Sequence, residues 1–320
     1  LLQDHSQPKE LGTGYFQVVD YVPGERIDYE IFEGNWRGEF PVRTATYVRV
    51  GDPRTALEAG DIDVGQSISP DIARTMVDSG NWNVSSKSAL GCQVISMRTS
   101  SNAALGDVRV RRALNLAIDT EAYTDIILAG FGQPSQGQLL QPGIEGFNPE
   151  LSDYGYDPAE AMRLLQEAGH QNLSVTFGAA NTQRAQAEVI AGFLEAVGVS
   201  VELETPDSGT IINELLNGGP RDMLFFNQFY TTLADWSQAM IALYSPAPNA
   251  PRYIDAERFY ELNAQIQFSE DEEARIELIQ ECAEVMNEEA SLLFLAYTDF
   301  FYIHTPAIET LPINLDNSPR

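Results

Sequence analysis

The stretch that most restricts the fold runs from Leu173 to Thr205: "LSVTFG", then "QRAQAEVIAGFLEAVG", then "VSVELET". Two β-branched, apolar runs flank a helical pattern with short links, a unit suited to a right-handed crossover between parallel strands. This half of the chain is therefore predicted to be α/β. Just before it, "YDPAEAMRLLQEAGH" carries a complete set of helix signals: Asp157 at the N-cap, Pro158 at the first position, Glu160 at the third and Gly169 as terminator. Its Ala161, Leu164, Leu165 and Ala168 are spaced to face inward. After the crossover come a short helix near "IINELLNGG", a strand "DMLFFNQF" and two charged helices around "AERFYELNAQIQ" and "EEARIELIQECAEVMNEEA". The last apolar run, "SLLFLAYTDFFYIH", is expected to be a strand returning to the first sheet.

The first hundred residues read mostly as strands. "YFQVVDYV", "RIDYEIFEG" and "ATYVRVG" alternate near period two between Pro/Gly turns, and "DPRTALEAGDID" and "SPDIARTMVDSG" each open a helix with a cap and a first-turn proline. "CQVISMRTS" is another strand. Then "VRVRRALNLAID" sets Val110, Ala113, Leu114, Ala117 and Ile118 on one helical stripe, with Arg109, Arg111 and Arg112 mostly off it. Those arginines are expected to solvate the outer face or to pair with carboxylates. The Gly/Pro/Gln-rich stretch from Gly130 to Leu151 has neither period and is expected to be an ordered surface loop. These readings place a boundary near residue 100. One part comprises residues 1–100 with 295–320, the other residues 101–294.

Charge limits the partners. The 320 residues hold 47 acids against 19 Lys and Arg, a formal charge of -28, so a polyanion is repelled at long range and nucleic acid is not an expected partner. Lys9 and Lys87 are the only lysines, as suits a salt-adapted source or, equally, arginine-rich codon usage with an ordinary acidic secreted surface. Cys92 and Cys282 stand far apart with no CxxC, and no apolar run approaches a membrane span. The chain begins at Leu1 rather than Met, the pattern of a processed or incomplete chain.

Catalytic patterns are scarce. With only His5, His170 and His304, a histidine base or a His-rich metal site is poorly supplied, and G-x-S-x-G, P-loop and H-E-x-x-H motifs are missing. No cofactor is implied. The acid pair Asp61 and Asp63 reads as a turn-to-strand transition, although a hydrolase would have to use it or Asp235. Ligand pockets favour aromatic walls with a few fixed polar groups, a composition found in "FNQFYTTLADW", with Phe229, Tyr230 and Trp236 around Thr232 and Asp235. Buried core aromatics explain that composition equally well.

In order along the chain, "GTGYFQVVDYVPGERIDYEIFEGNWRG", "ALEAGDIDVG", "DVRVRRALNLAID" and "LQPGIEGFNPELSDYGYDPAEAMRLLQEAG" resemble the extracellular solute-binding proteins of ABC transporters, family 5, which include the oligopeptide- and dipeptide-binding proteins. The resemblance implies an α/β, two-lobed, type II periplasmic-binding-protein-like fold, with mixed sheets flanked by helices and part of the first lobe missing. It also implies a monomeric, periplasmic or extracellular receptor that captures a peptide or similar small oligomer, or an oligosaccharide, for membrane permease subunits. It places the arginine-bearing helix at the start of the second lobe. It begins partway into the family pattern, which points to a fragment of a longer precursor.

Two departures bear on the ligand. Peptide-binding members carry a Trp-x-x-Asp pattern that holds the peptide ammonium, whereas here Phe229 and Thr232 take those places, with Asp235 three residues on. In "GCQVISMRT", which resembles the pocket-lining inter-lobe strand, Cys92 and Gln93 replace the usual Thr and Tyr, and Arg98 the usual Asn. Arg98 is expected to meet a hinge carboxylate or a ligand anion. Arg184, at a helix N-terminus, is a further candidate for binding a carboxylate. The candidate ligand residues are thus Cys92, Gln93, Arg184, Phe229, Tyr230, Thr232, Asp235 and Trp236.

Overall fold

The computed structural model describes residues 14–36, 38, 40–99, 101–229, 236 and 257–313. The chain divides into two compact units, residues 1–65 and 66–320.

In the first unit, β1 (Phe16–Val22), β2 (Arg26–Ile31) and β3 (Thr44–Val48) form an antiparallel sheet in sequence order. The β1–β2 turn uses Gly24 at φ 76°, a conformation that costs glycine nothing. Arg26 pins the hairpin, at 2.7 Å from Asp20 and 3.0 Å from Asp28. Helix α1 (Pro53–Ala59) starts where the Asp52 carboxylate accepts from the Arg54 N–H at 3.1 Å, and it stops at Gly60 in the left-handed region. A two-residue strand, β4 (Val64–Gly65), follows.

The second unit is a mixed sheet covered on both faces. Its strands are β5 (Asn83–Met97), β6 (Gly132–Pro134), β7 (Ser174–Gly178), β8 (Ser200–Glu204), β9 (Met223–Phe229) and β10 (Leu292–His304). They run in the order β10–β5–β9–β7–β8, with β6 also paired to β10. The pairs β7–β8 and β7–β9 are parallel, whereas β5 is antiparallel to both β9 and β10. The crossover read from sequence is present as β7, helix α6 (Arg184–Ala196) and β8.

One face packs under α3 (Val108–Leu116), α4 (Thr120–Leu128), α5 (Pro158–Glu167) and α6, where Val110, Leu114, Tyr123, Leu165 and Ile190 meet Ile95, Phe177 and Phe225. The other face packs under α7 (Ser208–Asn217), α8 (Glu257–Ile266) and α9 (Glu272–Glu288), through Ile211, Phe259, Ile279 and Cys282 against Val94, Leu224 and Phe294. Helix α2 (Pro70–Asp78) precedes β5.

Two expectations change. The Gly130–Leu151 stretch is not a surface loop: Gln138, Leu139, Leu140 and Gln141 are all buried, and the Tyr297 hydroxyl donates toward the carbonyls of Gln138 at 3.1 Å and Leu140 at 2.8 Å. The stretch serves as a layer of the core. Arg111 is not on the outer face either, since it is 2% exposed. Its Nε donates to the Glu289 carbonyl at 2.8 Å and its Nη1 to the carbonyls of Leu105 at 2.9 Å and Gly106 at 3.1 Å. Arg112 donates to the Glu288 carbonyl at 2.7 Å. Helix α9 has no basic residue in its own last turn, so the α3 arginines satisfy its terminal carbonyls and complement its dipole. Arg109 does behave as read, paired with Asp107 at 2.6 Å.

Candidate functional site

Ligands of open α/β sheets bind outside the carboxyl ends of the parallel strands. Here that edge lies where β9 runs past β7, whose Phe177 and Gly178 are level with Met223 and Leu224. β9 continues to Phe229, and the backbone positions form rows across the sheet. Phe229, Gly91, Thr298 and Gly132 make the outermost row, followed by Gln228, Cys92, Tyr297 and Gln133, then by Asn227, Gln93, Ala296 and Pro134.

This edge brings together some of the candidate residues. Cys92 is fully buried, with Sγ 3.9 Å from the Gln138 carbonyl, and burial pushes its thiol far above the ordinary range. Gln93 is buried, and its Oε1 accepts from the Tyr123 hydroxyl at 2.8 Å, so it links β5 to α4. Phe229 ends β9 opposite Gly91. Tyr230, Thr232 and Asp235 lie outside the described residues. Trp236 is 1% exposed, and its indole Nε1 donates to Asn263 Oδ1 at 3.2 Å, so it belongs to the core beside α8.

The two candidate arginines are engaged within the protein. Arg184 is 62% exposed at its side chain and bonded to Glu188 at 3.2 Å and Thr205 at 2.9 Å. Arg98 is buried and its Nη1 donates to the Gly219 carbonyl rather than to a carboxylate, while its Nε and Nη2 have no partner among the described residues. Beside it, Arg221 pairs with Glu204 at 2.5 Å and also with Glu214. That group of charges is at the edge opposite the row of Phe229 and Gly91, near the start of β9.

Polar groups that sequence reasoning passed over also lie near this end of the sheet. On the α4 side, Asn227 stands opposite Gln93, and its Oδ1 is buried with no hydrogen-bond partner. On the other side, Ser88 stands opposite Asp299 where the register shifts, and the Ser88 hydroxyl donates to Gln141 Oε1 at 2.6 Å. Leu90, inside that shift, has φ 50°, which is uncommon for a branched residue. Burial raises the Asp299 carboxyl above its usual range. Asp299 was detectable as the one charge inside an otherwise apolar strand run. Gln141 had no such signal.

A model of the bacterial extracellular solute-binding proteins, family 5 Middle, matches residues 3–251. The dipeptide-binding protein of Escherichia coli is 26% identical over 311 residues, covering 91% of this chain and 56% of that protein. Heme-binding protein A of Haemophilus influenzae is 32% identical over 169 residues, 51% of this chain and 30% of that protein. The chain spans about half the length of the curated relatives it matches. Among solved structures, NikA from Brucella suis in complex with Fe(III)-EDTA superposes with a TM-score of 0.84 at 24% identity, over 97% of this chain and 68% of that one. The periplasmic binding protein DppA from Helicobacter pylori, in complex with the peptide STSA, gives 0.75 at 23%, over 92% and 59%. At these identities the likeness is one of fold. Among the described residues, no three His, Cys, Asp or Glu side chains are grouped to hold a metal ion, and no helix is long and apolar enough to cross a membrane.

Proposed function

The chain belongs to the bacterial extracellular solute-binding proteins of family 5, and from that premise we propose that it serves as the substrate-binding component of an ABC transporter. In this reading it captures a peptide or a similar small oligomer outside the cytoplasmic membrane, without chemical change, and hands it to permease subunits. Residues 1–100 with 295–320 belong to the first lobe and residues 101–294 form the second. The observation that carries the proposal is the family match over residues 3–251. The sheet edge is consistent with it: among apolar strands, Gln93 and Asn227 offer hydrogen-bonding groups on one face and Ser88 and Gln141 on the other, and ligand sites combine apolar walls with a few such groups.

Gln93, Phe229, Tyr230, Thr232 and Asp235 remain the proposed ligand contacts of the strands and the segment after β9, with Arg184 at the N-terminus of α6, whereas Cys92 and Trp236, also candidates, are buried in the core. Native mass spectrometry of the protein from its own host tests the reading, followed by calorimetry with the co-purified molecule. A bound peptide or saccharide at one per chain, released intact, is the expected result. Conversion of that molecule on incubation, falling in Asp235 or Asp63 variants, would show a hydrolase instead.

A further inference from the structure

Asp299 and Gln141 are each incomplete in a complementary way. Among the described residues, the Asp299 carboxylate is in no ion pair or side-chain hydrogen bond, although it sits half-buried in the middle of β10. The Gln141 side chain is 3% exposed, and its Nε2 is buried with no partner. Ser88 joins them: it is level with Asp299 across the β5–β10 pair, so the two side chains project from the same face, and its hydroxyl holds the Gln141 amide by the oxygen. The amide N–H groups are thereby left facing away from Ser88. Ser88 thus links a carboxyl that has no side-chain partner among the described residues to an amide whose N–H groups have none. Unpartnered groups of this kind are rare in folded proteins and call for an explanation.

We infer that Asp299, Ser88 and Gln141 form a subsite for a primary ammonium group flanked by a hydrogen-bond acceptor, the arrangement at the amino end of a peptide. The ammonium would donate to the Asp299 carboxylate, and the adjoining carbonyl would accept from Gln141 Nε2. An anionic group is disfavoured there, because Asp299 repels it and no described cation faces the pair. The inference rests on the solute-receptor reading and specifies which end of the solute meets the hinge strands.

Alaninamide, which has an ammonium beside one carbonyl, is the minimal probe, and N-acetylalaninamide, which lacks the ammonium, is its control. Both are titrated at constant ionic strength while the backbone amides of Ser88, Leu90 and Asp299 are followed by NMR. Saturable shifts with alaninamide alone are expected, weakened about tenfold or more by Asp299→Asn, the worth of a charge-assisted hydrogen bond, and less by Gln141→Leu. No saturable response to alaninamide, an equal response to the acetylated probe, or an unchanged affinity in Asp299→Asn overturns the subsite and leaves a bridging water as the explanation of the orphan groups. The comparison of the two probes in the wild type decides the matter even if a variant does not fold. Calorimetry with tetra-alanine separates the two readings. Tight binding of tetra-alanine with silent alaninamide keeps the receptor and removes the subsite; saturable alaninamide with no tighter binding of tetra-alanine keeps the subsite and removes the peptide receptor.

Discussion

Replacing Arg111 by methionine should destabilise the second unit by about 3–5 kcal/mol, because three backbone carbonyls lose a charged donor at about 1–3 kcal/mol each, less than additively. The guanidinium is 3% exposed at its side chain and donates to three carbonyls, those of Leu105, Gly106 and Glu289. Methionine restores the volume but none of the donors. The ion pair with Glu289 adds little, because that carboxylate is 40% exposed. Loss of the cation at the C-terminus of α9 acts in the same direction. Urea unfolding, followed by far-ultraviolet circular dichroism, measures the effect as a lower midpoint at an unchanged slope. Arg111→Lys should fall between, since one ammonium cannot reproduce the planar fork. Arg109→Ala is the control: it removes a neighbouring exposed arginine whose pairing with Asp107 is local. If Arg111→Met shifts the midpoint no further than Arg109→Ala, the argument that α3 caps α9 fails.

Other outcomes follow from burial and charge. With 47 acids against 19 bases, the thermal midpoint should rise as KCl goes from about 0.05 M to about 1 M, where screening shortens to a few ångströms; a flat or falling curve would show that self-repulsion does not limit stability. Cys92 and Cys282 are buried free thiols, the latter with its pKa pushed up to about 12. Neither should react with Ellman's reagent in the native protein, and both should react in denaturant; prompt native reaction of either would contradict its placement. Asp299→Asn should raise stability at neutral pH. The folded carboxyl titrates above its unfolded value, so ionisation costs the folded state more than the unfolded one. That cost is absent below the unfolded pKa and fully present above the folded one. The advantage of the variant should therefore shrink as pH falls through the carboxylate range, and a gap that widens there would reverse the sign of the argument.

The α/β half was legible because its signals are local. The Asp157 cap, the Pro158 start and the inward Ala161 and Leu165 all appear as read. The Gly130–Leu151 layer was not, because its burial depends on Tyr297, more than a hundred residues away, reaching the carbonyls of Gln138 and Leu140. Arg111 does pair with a carboxylate, that of Glu289, as one branch of the reading had it, but its burial was missed for the same reason. Its helical position predicts an outer face, but the end of α9 arrives there from the far side of the chain. The charged residues that a chemistry-first reading favours, Arg184 and Arg98, are engaged within the protein.

Asp299 shows where pattern reading ends. Strict alternation from Phe294 would place residues 295, 297 and 299 on one face, and 294, 296 and 298 on the other. The register shift between Phe294 and Ala296 breaks that count: Leu295 and Ala296 both join the core under α3 and α6, and Tyr297 returns to the core that holds Phe294. Asp299 falls on the same side of the strand as Tyr297, and a second shift, between Thr298 and Asp299, brings it level with Ser88 in place of Leu90, and Ser88 in turn holds Gln141. Without the extra residue Asp299 would have faced the side of the sheet that carries Leu293 and Leu295, covered by the α3 and α6 core, where an uncompensated carboxylate is costly. The bulge re-aims the side chain, a use of bulges common next to functional sites. A one-residue shift of this kind leaves no mark on hydrophobic periodicity, since every neighbour from Leu292 to Thr298 is buried whichever face it takes. The position of the one charge in this strand is therefore set by the pairing of β5 with β10, and only the structure reveals it.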